Sequence, residues 1–82
     1  SAEAWHLAGA AAQVAGDADR AIVALRRAER LSPHDAGPST DLALLYRALG
    51  RPADARRAVA RALARDPDDP RAIEAARVIG RP

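Results

Sequence analysis

The chain of 82 residues carries 13 arginines and no lysine against 11 acidic residues, a net charge of +2, and it has no cysteine, methionine or phenylalanine. At this length it makes one domain at most, because a compact chain of such size buries only about 60% of the surface its unfolded form exposes. The composition excludes a disulfide framework, His6 and His34 alone make no zinc site, and so small a positive excess does not make a nucleic-acid binder.

Ser1 is placed to cap a first helix predicted from about Ala2 to Ala15, along which Trp5, Ala8, Gly9 and Ala12 recur at helical spacing. Gly16 ends it, since glycine takes the left-handed conformation cheaply. Asp17 then starts a second helix that runs to about Arg30, with Ala21, Leu25 and Ala28 on its apolar face. Ser32-Pro33 breaks that helix, because proline has no amide hydrogen to donate and disfavours helical geometry in its predecessor. A third helix is predicted over about Ala36 to Leu49, with Gly37 and Pro38 tolerable only in its first turn and Leu42, Leu45, Tyr46 and Leu49 on one face. Gly50 closes it, and Pro52 sits near the first turn of a fourth helix carrying Ala55, Val59, Ala62 and Leu63. That helix ends near Arg65 at the Asp66-Pro67 break. Asp69 caps a fifth, which Pro70 opens and which reaches about Ile79, where Gly80 and Pro82 stop it.

Sliding the sequence by 34 residues superimposes Gly16 on Gly50, Ala21 on Ala55, Ala24 on Ala58, Arg27 on Arg61, Ala28 on Ala62, Pro33 on Pro67 and Asp35 on Asp69. The coincidences include the glycines and prolines that end helices, so the period marks structure and not only alanine content. The fold class is therefore all-α. Helices joined by short turns give antiparallel hairpins, each covering the apolar face its predecessor leaves open.

These residues resemble the tetratricopeptide repeat family. Trp5, Ala8, Gly9, Ala12, Ala21, Leu25, Ala28 and Pro33 fall on its signature positions, and Ser39, Leu42, Ala43, Tyr46, Ala55, Val59, Ala62 and Pro67 on those of a second unit, where only the tryptophan position is clearly lost. A third unit begins at Pro70, with Ile73 and Ala76 at the first two positions, and contributes only a capping helix. The resemblance implies a single domain over residues 1–82: hairpins stacked as a right-handed superhelix, an α-solenoid, with units at about 2–35 and 36–69 and the cap at about 70–80. Gly9, Ala43, Ala21 and Ala55 stand where two helices approach closely. Alanine at positions 8 and 12, where the family usually carries larger residues, makes the first hairpin pack thinly.

In such proteins one face of each first helix lines a concave groove. By resemblance that groove is formed here by Glu3, His6, Ala10 and Gln13, then Thr40, Leu44 and Arg47, then Arg71, Glu74 and Val78. The implied function is binding a peptide or helix of a partner protein, with no catalytic residues and no cofactor. Some members clamp the free C-terminus of chaperones with lysine, asparagine and arginine, but this sequence has neither lysine nor asparagine, which argues against that role. Alternatives are an oligomerisation or spacer segment, self-associating through apolar end faces near Trp5, and an accessory arm of a larger enzyme or envelope-assembly protein.

The remaining clusters read blandly. Asp66, Asp68 and Asp69 lack the distant glutamate of a calcium loop and are expected to cap helices. The arginines at 20, 26, 27, 30, 56, 57, 61 and 65 form stripes expected to be solvated, since acidic neighbours offset them and aromatic residues for base stacking are lacking. No stretch approaches the roughly 20 apolar residues that cross a bilayer, so membrane insertion is not expected. The exclusive use of arginine reflects GC-rich coding and points to a bacterial source. The start at Ser1 points to a soluble piece of a longer protein, cytoplasmic or periplasmic.

Overall fold

The computed structural model describes residues 1–80, whose five helices are α1 (Ala2–Val14), α2 (Ala18–Leu31), α3 (Gly37–Ala48), α4 (Pro52–Arg65) and α5 (Pro70–Ile79). No strand occurs among the described residues, and none of the helices is long and apolar enough to cross a membrane. Every helix end for which a bound was read from the sequence falls within a residue of it, α4 begins at Pro52, and the stop expected at Pro82 lies outside the described residues.

Local chemistry accounts for the ends. The side chains of Ser1, Asp17 and Asp69 accept hydrogen bonds from the amides of Ala4, Arg20 and Ala72 at 3.2, 3.1 and 2.9 Å, while α3 and α4 begin with a proline in the first turn instead. Both hairpins turn in the same way. Gly16 and Gly50 take φ of 76° and 71°, and the residue after each donates its amide back across the turn, Asp17 to the Ala12 carbonyl at 2.8 Å and Arg51 to the Tyr46 carbonyl at 2.9 Å.

Each hairpin packs helix on helix, α1 on α2 and α3 on α4, while α2 meets α3, α4 meets α5, and α3 lies alongside α5. The core centres on Leu25, Leu42 and Val59, surrounded by Ala21, Ala43, Ala55 and Ala58. Ala28, Ala62 and Tyr46 are buried with them. Small residues set the spacing: a Cβ on Gly9 would lie 2.8 Å from Cγ of Leu25. The first hairpin is thin, as alanine at positions 8 and 12 implied, and α1 buries only Gly9 and Ala12. Ala8 is exposed and Trp5 remains 36% exposed, its ring covered by the guanidinium of Arg27 at 5.3 Å. Pro33 and Pro67 also lie at the surface, where they end helices.

The junction between hairpins is polar. Glu29 of α2 is only 2% exposed, and its carboxylate accepts hydrogen bonds from the Ser39 hydroxyl of α3 and from Nε of Arg61 on α4, the latter at 2.9 Å. Arg26 lies 3.3 Å from its other oxygen. Arg65 donates to the backbone carbonyls of Glu29 and Ser32 at 2.7 and 3.2 Å. Ser39 occupies the position where the family carries tryptophan, so a hydroxyl fitted to a buried carboxylate stands in for a ring fitted to an apolar slot. Arg61 and Arg65 therefore depart from the expected solvated stripe. Arg61 turns inward because a buried carboxylate without cationic partners is costly, and Arg65 because it finds backbone carbonyls at the end of α2. Other members of the stripe are exposed, and Arg57 with Arg51 holds the carboxyl of Asp54 below the usual carboxylate range through hydrogen bonds of 2.5 and 2.8 Å.

Ala21 is fully buried where α1 and α2 approach. Ala21→Leu is expected to lower the unfolding free energy by about 1–3 kcal/mol through overpacking, as read by urea denaturation, whereas the same change at exposed Ala11 should leave it nearly unchanged.

Candidate functional site

α3 and α5 run side by side, and between them lies an open hollow of about 320 Å³. From α3 it is lined by Thr40, Leu44 and Arg47, and from α5 by Pro70, Arg71, Glu74, Ala75 and Val78. Six of the ten residues expected in a groove thus share one site. Glu3, His6 and Ala10 meet at a separate hollow on α1 together with Leu7, and Gln13 lines neither. The two hollows stay apart because the backbone of α1 scarcely approaches α3, whereas α3 and α5 are in close contact.

The lining is graded from floor to lip. Leu44 and Val78 are 40% and 42% exposed and form apolar lips. Thr40 corrects the expectation of a polar groove contact: it is fully buried, its hydroxyl has no hydrogen-bond partner, and it makes the floor. The cause is the packing of α5 along α3, which covers the face that Thr40 presents.

Asp41 is the residue that sequence reasoning missed. One of its carboxylate oxygens lies 2.5 Å from Nε2 of His6 on α1, and the other accepts a hydrogen bond from Nη2 of Arg71 on α5 at 2.6 Å. A single carboxylate on α3 therefore ties all three first helices together. The hydrogen bond to Asp41 raises the pKa of Arg71 above the ordinary arginine value. Periodicity gave no sign of this, because Asp41 matches Leu7 and Ala75 in the 34-residue register. The available signal was that Asp41 is the one acidic residue of the third helix.

The other charges sort into pairs. Glu74 accepts two hydrogen bonds from Arg77, at 2.9 and 2.6 Å, which hold its carboxyl below the usual range. Arg47 is exposed, and its side chain has no hydrogen bond or ion pair among the described residues. Outside the hollow, the cluster of Asp66, Asp68 and Asp69 orders backbone: Asp66 accepts from the Asp68 amide at 3.1 Å and Asp69 caps α5.

A family model described as Tetratricopeptide repeat matches residues 15–77. The match begins just after α1, so it leaves out the thinly packed helix and takes in α2, α3, α4 and most of α5. No curated protein matches the chain.

The Asp41 bridge is partly exposed, with about a quarter of the Asp41 side chain and more than half of the Arg71 side chain reaching solvent. Asp41→Ala is therefore expected to cost no more than about 1 kcal/mol by urea denaturation. The Nε–H signal of Arg71 in NMR spectra should at the same time lose the dispersion of a fixed side chain.

Proposed function

Because this chain belongs to the tetratricopeptide repeat family, whose repeats mediate protein–protein interaction and typically carry no catalysis, we propose that it holds a segment of a partner protein on the side shared by α1, α3 and α5. One observation carries this reading: the α3/α5 hollow pairs apolar lips at Leu44 and Val78 with a polar rim at Arg47, Arg71 and Glu74. Both lips stand on packed helices, so a docking segment finds its surface already formed and little order has to be created in the receptor. The ties from Asp41 to His6 and Arg71 serve the same end by holding α1 and α5 against α3. The bets for partner contact are Leu44, Val78, Arg47, Arg71 and Glu74, with Glu3, His6 and Ala10 as an extension along α1. Thr40 acts through shape alone.

Selection of peptides from a random displayed library tests this reading. Leu44→Glu, a change at a half-exposed lip, should lower capture of the selected peptides at least tenfold with an unaltered melting temperature. Arg56→Glu on the outer face of α4 should leave capture intact. Unchanged capture by Leu44→Glu overturns the groove reading.

The open flank of α1 favours a second role. Ala8, Ala11, Ala12 and Ala15, with Asp17 and Arg20, line a shallow hollow of about 290 Å³, next to which Trp5 is only partly covered. Apolar end faces of helical repeats stack on neighbouring helices, which supports self-association through α1. Sedimentation should then show a mass that rises with concentration and that Ala11→Arg returns to the monomer value. A strictly monomeric chain at high concentration contradicts it.

A further inference from the structure

We infer that the α3/α5 hollow selects a segment in which an aliphatic side chain lies next to a carboxylate, and that Arg47 is the group that reads the acid. This rests on the groove reading above and adds the chemistry of the occupant. The hollow is at the small end of the size range of ligand pockets, about 300–1,000 Å³, so it takes an anchoring side chain and not a whole helix face. Leu44, Ala75 and Val78 make its walls apolar, which calls for an aliphatic anchor.

Charge decides what stands beside that anchor. Arg71 is engaged by Asp41 and Glu74 by Arg77, so these groups enter the hollow already compensated. Arg47 has no such partner among the described residues, and among them it leaves one positive charge unbalanced at the rim. A guanidinium at the edge of an apolar surface is suited to two-pronged hydrogen bonding of a carboxylate. Arg71 can add a second contact, because Asp41 uses only its Nη2 and the side chain is more than half exposed. A lysine or arginine beside the anchor would instead face the uncompensated charge of Arg47, while Glu74 already has Arg77 as its partner, so the same arrangement disfavours basic segments. Arg47 also stands in the last turn of α3, where any cation favours the helix dipole. That role alone would give no sequence preference in a bound peptide.

The experiment is selection from a library of random heptapeptides, each flanked on both sides by carrier sequence so that no free terminus supplies the acid. Wild type, Arg47→Glu, Arg47→Gln and Leu44→Glu are used as baits, their folds checked by circular dichroism. Wild type should enrich leucine, isoleucine or valine within two residues of aspartate or glutamate. Arg47→Glu should bind those peptides at least tenfold more weakly and enrich lysine or arginine in place of the acid, while Arg47→Gln should lose the acidic preference without gaining a basic one. Acidic peptides that bind Arg47→Glu as well as wild type, or wild-type selections rich in aliphatic residues with no acid, overturn the inference and leave the groove standing. Absence of enrichment on wild type over Leu44→Glu overturns the groove reading itself.

Discussion

A buried carboxylate must be paired, and in this molecule that requirement falls on Glu29. It sits where α2, α3 and α4 converge, and it draws the Ser39 hydroxyl and the Arg61 guanidinium to itself from two different helices. Arg65 adds two bonds to the backbone around it. Apolar packing between alanine-rich helices is permissive, since small side chains allow several rotations and slides at similar cost. A buried charge with directional partners is not. Replacing such a group by well-packed apolar residues is often neutral for stability, so the contribution of Glu29 lies in fixing one arrangement of the second hairpin on the first.

That arrangement reaches the groove through α3. Once Ser39 is held against Glu29, Asp41 and Leu44 fall on the opposite side of α3 and Arg47 beside them, and α5 lies along α3 to close the hollow. α1 is treated differently. It rests on α2 through Gly9 and Ala12, and on the groove side its tie to α3 is the contact of His6 with Asp41. The thinness of the first hairpin follows from the small residues along α1, and the separation of the two hollows from how little α1 approaches α3.

Much of the fold was legible because punctuation in helical sequences is local. Gly16 and Gly50 end helices by conformation, Pro33 and Pro67 by lacking an amide hydrogen, and Ser1, Asp17 and Asp69 begin them through side-chain caps. None of these needs knowledge of a neighbour. The groove was half legible: the family resemblance pointed to one face of each first helix, and of the residues it named, Leu44, Arg47, Arg71, Glu74 and Val78 line one hollow. It could not show that the column holding Thr40 is covered by α5, or that Asp41 in the adjacent column reaches two other helices. Nor could it separate Arg61 and Arg65 from the exposed arginines of the same stripe, because what turns them inward is Glu29, more than thirty residues away. Charges find partners in three dimensions, and a one-dimensional period carries no record of them.

Native-state hydrogen exchange on Glu29→Gln tests the role of this residue most directly, since the change keeps shape and removes charge. If Glu29 fixes the first hairpin to the second, the amides of α1 and α2 should lose protection by a clearly larger factor than those of α4 and α5, with the helices themselves retained. Equal loss in both hairpins, or no loss in either, would contradict it and leave apolar packing alone as the source of their arrangement.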